Sequence, residues 1–232
     1  MTPRLDYSNA MAHDMRSPLN RALRSTRELS RTLTSERERR LAMNAYAACA
    51  QAEHVLATSS ALFEIEHNIL PIFSVEVSGD DRERLFLDLI EIFNAIYSQR
   101  PRRVLVTSEH SASLPIMIDK RQLRLCLWNV IDNAFIYGFE GSPIRIITSR
   151  FNPATMLRVA VFNHGLPIHA DEIGRCCDPG FRGANAEAVA PGAGLGLYVA
   201  SRLLSANGGS LHLESNGNVT TAELLVPLSH PR

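Results

Sequence analysis

Residues 1–67 contain no glycine, and a repeat of small and apolar residues runs through them in alternating steps of three and four. The positions are Leu5, Ser8, Ala12, Met15, Leu19, Ala22, Thr26, Leu29 and Leu33. Such a repeat keeps one stripe of a helix facing a partner along its whole length. A second run follows at Leu41, Ala45, Ala48, Ala52, Val55, Ser59 and Leu62, and a parallel stripe of Ala42, Cys49, Leu56 and Phe63 widens it. Between the two lies Thr34-Ser35-Glu36-Arg37-Glu38, where Ser35 is expected to cap a new helix and Glu38 to complete a capping box. The spacing therefore predicts two helices of about 30 residues in a hairpin. A lone hairpin cannot bury two wide apolar faces. A second copy would close a four-helix bundle, so a homodimer is expected. The alternative is a hairpin packed on its own C-terminal region.

The remaining composition narrows the class. The chain has 232 residues, 45% hydrophobic and 21% charged, which suits a globular protein and excludes disordered, collagen-like and disulfide-scaffold classes. Acidic and basic residues number 24 each, so there is no basic surplus, and no nucleic-acid partner is expected. Aromatics, at 6%, are too few for a base-stacking surface. No apolar run reaches about 18 residues and the N-terminus lacks a signal-like stretch, so no membrane contact by this segment is expected. Cys49, Cys126, Cys176 and Cys177 form no C-x-x-C pair and read as reduced thiols. The histidines fall at no metal-ligating spacing.

From Pro71 the texture becomes mixed. Val104–Thr107 and Ile116–Ile118 read as short strands. Four further segments alternate at period two, around Ile144–Thr148, Leu157–Val161, Leu211–Leu213 and Ala222–Val226. Helices are expected over 80–98, over 119–137 with Asp119 as cap, and over 195–206. Residues 180–194 read as a long Gly- and Ala-rich loop, the kind of segment that often serves as a lid.

Three clusters carry chemistry. In His13-Asp14-Met15-Arg16-Ser17-Pro18-Leu19, Ala12 and Met15 occupy the seam, so His13 and Ser17 share the outer face. Pro18 cannot donate to the Asp14 carbonyl, so a kink beside His13 is expected. An imidazole with a neighbouring carboxylate is a plausible nucleophile, and an inert surface histidine is the plainer reading. In the second cluster Asn129 and Asn133 stand one turn apart among apolar neighbours, where oxygen ligation of Mg²⁺ or bonding to backbone would justify them. Third, Pro191-Gly192-Ala193-Gly194-Leu195-Gly196-Leu197 runs into a helix, where glycines let phosphates approach backbone N–H groups.

The order of these clusters resembles the bacterial two-component sensor histidine kinases over about residues 5–228. His13–Leu19 is similar to the H box, Asn129–Ala134 to the N box and Val161–Ile168 to the G1 box. Cys177–Gly183 resembles the F box and Gly192–Leu197 the G2 box, with Gly208-Gly209 following at the usual distance. The resemblance implies an all-α hairpin forming a dimeric four-helix bundle, then an α+β two-layer sandwich of the gyrase and MutL type. That sandwich is a mixed sheet with helices on one face. The implied organisation is a dimerisation and histidine-phosphotransfer hairpin at 1–67, a hinge at 68–75 and a catalytic ATP-binding domain at 76–232.

By the same resemblance, His13 receives the γ-phosphoryl group of ATP, Asp14 activates it, and the group passes to an aspartate on a response regulator receiver domain. Ser17 stands where relatives orient a water for phosphatase activity. Asn133 corresponds to the Mg²⁺ ligand. Asn129, Tyr137, Asn163, Gly165, Arg182, Gly192, Gly194, Leu195 and Gly196 correspond to nucleotide-contacting positions. Cytoplasmic placement is implied, as a free protein or as the cytoplasmic part of an inner-membrane sensor. The chain also departs from the family pattern. Asn163 replaces an aspartate, Pro167 a glycine and Ile136 a basic residue, so weakened ATP binding is expected, and Gly180 replaces an aromatic, so altered packing of the lid is expected. The competing reading is a phosphotransfer relay dimer whose degenerate domain does not bind ATP.

Overall fold

The computed structural model describes residues 4–70, 76–109, 114–151 and 155–229, with the side chains of residues 4–14 and of Glu76 outside the description. The chain divides into two compact units, Met1–Leu70 with Glu91–Ser98, and Pro71–Ile90 with Gln99–Arg232.

The first unit is a helical hairpin. Helix α1 spans Arg4–Thr32 and continues through Pro18, and α2 spans Glu36–Glu66. Tyr46, Ala47, Ala50, Ser60, Ala61 and Ile65 form its buried seam. Small residues there let the helices approach closely, as at Ala50, which is fully buried. The second heptad stripe is not part of this seam within the hairpin. Leu41, Ala45, Ala48, Ala52, Val55 and Ser59 are all exposed in the single chain, Leu41 by 59% and Val55 by 65%. The expected capping box is also absent. Ser35 occupies the N-cap position of α2 in the extended conformation usual for a cap, but makes no side-chain cap hydrogen bond. Arg27 pairs with Glu91 at 3.3 Å and lies over the Tyr46 ring, tying residues 91–98 into this unit.

The second unit is built on a mixed five-stranded sheet in the order β2-β4-β5-β7-β6. Its strands are β2 (Val104–Ser108), β4 (Ile144–Phe151), β5 (Met156–His164), β6 (Ser210–Asn216) and β7 (Val219–Pro227). Strands β2 and β4 are parallel, while all other pairs are antiparallel. A parallel pair needs a long crossover, and the chain between them carries β3 (Ile116–Met117) and helix α4 (Lys120–Tyr137). A separate two-stranded ladder joins β3 to β1 (Glu76–Val77). Helix α3 (Gly79–Ile96) starts beside it, and its wholly buried Arg82 donates through Nη1 to the Leu114 carbonyl at 2.7 Å.

Helix α6 (Gly196–Ala206) packs on α4, and both helices rest on the sheet. Their apolar faces, Leu123, Leu127, Val130, Ile131 and Ala134 from α4 and Val199, Ala200, Leu203 and Leu204 from α6, meet Ile144, Ile146, Leu157, Val159, Leu224 and Val226 of the strands. The loop expected over 180–194 is less irregular than its composition indicates. It contains a short helix, α5 (Ala184–Val189), preceded by a 3-10 turn at Ile173–Arg175.

Candidate functional site

Helix α4 positions the polar face of the second unit. Asp119 caps it, its carboxylate accepting from the amides of Arg121 and Gln122 at 2.7 and 3.3 Å. Asn129, Asn133 and Tyr137 then fall one turn apart on one face. Asn133 and Tyr137 are half-buried, but Asn129 is only 7% exposed, and its Nδ2 is buried with no hydrogen-bond partner. A buried donor left unpaired costs about 1–3 kcal/mol, so an acceptor bound at this atom would be favoured.

The C-terminal end of α4 is tied to the turn after β5. The Phe139 amide donates to the His164 carbonyl at 2.8 Å, and the Leu166 amide donates to the Tyr137 carbonyl at 2.9 Å. Gly165 sits inside this bridge, where a Cβ would lie 2.2 Å from the Tyr137 carbonyl oxygen. The half-turn after α4 is held by Arg102, whose guanidinium donates to the carbonyls of Gly138 and Phe139. No sequence signal marked Arg102, an arginine beside another arginine outside every motif. Asn163, two residues before Gly165, is 8% exposed.

Residues 167–195 fold over as a strap. The Asn185 amide donates to the Pro167 carbonyl at 2.8 Å, and Glu172 accepts from the Ala184 amide at 2.9 Å. Arg182 donates to the carbonyls of Ala186, Ala190 and Gly192, so the strap's own backbone engages its guanidinium. Phe181 lies 4.3 Å from the Arg175 guanidinium, a cation–π contact where the expected aromatic of the F box is displaced by Gly180. At the base of the strap the Gly180 amide donates to the Gly194 carbonyl at 3.1 Å. Gly194 has φ +66°, and a Cβ there would lie 2.6 Å from the Phe181 carbonyl oxygen. Only glycine meets both conditions. Gly192 has no such crowding, its nearest neighbour being the Arg182 guanidinium at 3.6 Å from a Cβ.

The strap delivers the start of α6 to α4. Leu195 occupies the N-cap position and offers no side-chain cap, so the first amides of α6 lack that partner. A Cβ on Gly196 would stand 2.8 Å from Asn129 Oδ1. An uncapped helix N-terminus, with its positive dipole end, therefore meets a buried amide whose Nδ2 is unpaired. That arrangement suits an anion. Asn133, one turn along, offers a neutral oxygen of the kind Mg²⁺ accepts alongside phosphate oxygens and water.

Cys176 and Cys177 border the strap. Burial pushes the Cys176 thiol up to about 11, with Cys177, Glu172 and Asp178 adding to the rise, and burial also raises Cys177. Both stay protonated and are poor nucleophiles at neutral pH.

In the hairpin, the backbone of His13 and Asp14 belongs to α1, and their side chains lie outside the described residues. Ser17 is exposed, and its hydroxyl accepts from Arg21 Nη1 at 2.9 Å. Arg16 reaches across to α2 and donates to Ser60 Oγ at 2.7 Å. Beside it, burial raises the pKa of Glu64 while the Arg16 charge pulls it down. The Arg16–Ser60 link escaped the sequence reading, which placed only His13, Asp14 and Ser17.

Residues 118–230 match the family described as histidine kinase-, DNA gyrase B-, and HSP90-like ATPase. The chain is 22% identical over 229 residues to the autoinducer 2 sensor kinase/phosphatase LuxQ of Vibrio cholerae, covering 97% of this chain and 26% of the relative. It is 36% identical over 101 residues to the sensor histidine kinase Hik2 of Thermosynechococcus vestitus, covering 44% of this chain and 26% of the relative. This chain thus spans about a quarter of the length of these relatives. Full-length ShkA in complex with AMPPNP shares the fold at TM-score 0.64 and 21% identity, covering 100% of this chain and 47% of that one. No helix among the described residues is long and apolar enough to cross a membrane. Residues 118–230 are therefore similar to the histidine kinase-, DNA gyrase B-, and HSP90-like ATPases, and the chain as a whole is similar to the core of bacterial sensor histidine kinases.

Proposed function

We propose that this chain is a protein-histidine kinase core that binds ATP in its second unit, phosphorylates His13, and passes the phosphoryl group to an aspartate of a response regulator. The observation that carries the reading is the unpaired Asn129 Nδ2 beside the uncapped N-terminus of α6. ATP phosphates would satisfy both, with Gly194, Leu195 and Gly196 leaving the backbone open to them. The base would lie towards Asn163, Gly165 and Tyr137, with Arg182 and Gly192 keeping the strap in shape above it. Asn133 would contribute an oxygen to Mg²⁺, which when bound neutralises charge on the phosphates.

Phosphoryl transfer needs positioning and charge compensation more than covalent assistance. In the proposed step an imidazole nitrogen of His13 attacks the γ-phosphorus. The bond from that phosphorus to the bridging oxygen breaks, and ADP leaves with the electron pair. Asp14 takes up the imidazole proton. In the second step a regulator carboxylate attacks the phosphohistidine, the N–P bond breaks and an acyl phosphate forms. Ser17 would hold a water that attacks the regulator's acyl phosphate, breaking the bond from the phosphorus to the carboxylate oxygen and releasing inorganic phosphate.

A homodimer belongs to this reading. The exposed stripe Leu41, Ala45, Ala48, Ala52 and Val55 has the heptad spacing of a bundle seam. Cytoplasmic placement follows from the same reading, since regulators and ATP reside there.

The test is titration of the full chain with a fluorescent ATP analogue and Mg²⁺, followed by γ-labelled ATP. Saturable binding and acid-labile label that disappears in His13→Ala would support the proposal. Binding without label would leave an ATPase or scaffold. Absence of binding would leave the relay reading, which the departures at Asn163, Pro167 and Ile136 favour.

A further inference from the structure

The geometry points to Arg102 as a positioning residue for the nucleotide site proposed above, a clamp that keeps the end of α4 against the turn after β5. The inference rests on that reading and adds to it a residue outside every sequence cluster. Arg102 is only 8% exposed, and its guanidinium forks over two successive backbone carbonyls, Nη2 donating to Gly138 and Nη1 to Phe139. Its own backbone is anchored. Arg102 lies two residues before β2, and the carbonyl of the next residue, Arg103, accepts from the Ile144 amide at 2.9 Å where the β2–β4 ladder begins. The guanidinium is thus a bracket mounted on the sheet and reaching the exit of the helix.

The bracket holds a short extended segment. After the last turn of α4, Gly138 takes up φ −71° and ψ 152° and pairs as an isolated antiparallel bridge with Gly165. The Phe139 amide donates to the His164 carbonyl and the Leu166 amide to the Tyr137 carbonyl, at 2.8 and 2.9 Å. Gly138 and Gly165 are therefore the pair that exchanges no bond of its own, and Gly138 turns its carbonyl to the opposite edge. There the Arg102 fork takes the place that a further strand would hold. A Cβ on Gly138 would stand 2.6 Å from Nη1, so the glycine leaves the fork its room. Without the fork the Phe139 carbonyl keeps the Ser142 amide at 3.1 Å, but the Gly138 carbonyl must find another partner. Rotating the segment towards solvent would supply one, at the expense of the two bonds to His164 and Leu166. Asn133 and Tyr137 stand on the last turns of α4, so the clamp sets how these two residues lie against the turn after β5. A planar guanidinium suits two carbonyls at once, whereas an ammonium on a flexible stem does not fix such a geometry.

The experiment is calorimetric titration of the full chain and of Arg102→Lys and Arg102→Ala with ATP and Mg²⁺, at a temperature where circular dichroism shows each protein folded. Both variants should bind ATP at least tenfold more weakly than the parent. Millimolar guanidinium chloride should bring Arg102→Ala back to within threefold of the parent, and sodium chloride at the same concentration should not. A role in folding alone would lower the melting temperature and leave the affinity of the folded protein unchanged. Folded Arg102→Lys that binds ATP within threefold of the parent therefore overturns the proposal and leaves the nucleotide reading intact. A guanidinium effect on Arg102→Ala no larger than that of sodium also overturns it. If Arg102→Ala does not fold, Arg102→Lys, which keeps the charge and most of the stem, decides alone. A parent that binds no ATP ends the nucleotide reading and this proposal with it.

Discussion

Asn129 and Gly196 meet across the junction of α4 and α6, so closely that a Cβ on Gly196 would lie 2.8 Å from the Asn129 amide oxygen. The contact holds a buried asparagine beside a bare helix N-terminus while its Nδ2 goes unpaired. A buried unpaired donor costs about 1–3 kcal/mol, which an acceptor bound at that atom would offset. Asn129→Leu removes the orphan donor with little change in volume. It should stabilise the nucleotide-free protein by about 1 kcal/mol and abolish nucleotide binding. Thermal unfolding with and without ATP and Mg²⁺ checks both halves, and a variant that still gains stability from ATP would refute the assignment.

Gly165 bears on the architecture of the same site. A methyl group there would lie 2.2 Å from the Tyr137 carbonyl oxygen, a backbone atom that cannot swing away. Gly165→Ala should therefore cost about 1–3 kcal/mol by overpacking and part α4 from the end of β5. Gly141→Ala, where a Cβ meets nothing within 4 Å but φ is +76°, isolates backbone strain from collision. Denaturant midpoints should fall further for Gly165→Ala than for Gly141→Ala.

Glu64 gives the hairpin a pH dependence of known sign. Burial, the larger influence, raises its pKa above the ordinary 4.5, and Arg16 opposes the rise. Folding then favours the protonated carboxyl. Its contribution is fully present below the ordinary value and is lost as pH rises through the raised folded value. Glu64→Gln should raise the melting temperature at pH 7 and make no difference at pH 4 or below. Equal gains at both pH values would show that titration of Glu64 is not the cause.

The exposed stripe on α2 predicts its own variant. Val55 is 65% exposed in the single chain, so Val55→Asp should leave an isolated hairpin unaffected. Buried in a bundle seam, the same charge would face a desolvation penalty of several kcal/mol. Light scattering at micromolar concentration should report a dimer for the parent and a monomer for the variant. Equal masses for the two would remove α2 from the interface.

Ser17 offers its hydroxyl to Arg21 at 2.9 Å, which competes with any water held for hydrolysis. Ser17→Ala should slow the decay of a phosphorylated regulator and spare labelling of His13. Arg21→Ala should quicken that decay by freeing the hydroxyl. Identical decay rates for parent and both variants would mark Ser17 as a solvated helix residue.

Much of the local structure was legible in the residues themselves. The 3-4 spacing, the Asp119 cap, the period-two runs and the glycines before α6 each depend on chemistry within a turn or two of the chain. Those signals gave the hairpin helices, α4, α6 and the strands of the sheet to within a few residues. Ser35 shows the limit of such reasoning, since the right residue at the N-cap position still makes no cap bond. Tertiary packing alone decided that the hairpin closes on Tyr46, Ala47, Ala50 and Ile65 and leaves the heptad stripe uncovered. A periodicity marks an apolar face without naming what covers it. Packing also decided that Arg102 holds the carbonyls after α4, that Arg182 binds its own strap, and that Asn129 faces Gly196 with an unpaired donor. Each of those relationships joins groups brought together by chain closure, and no local pattern encodes the closure.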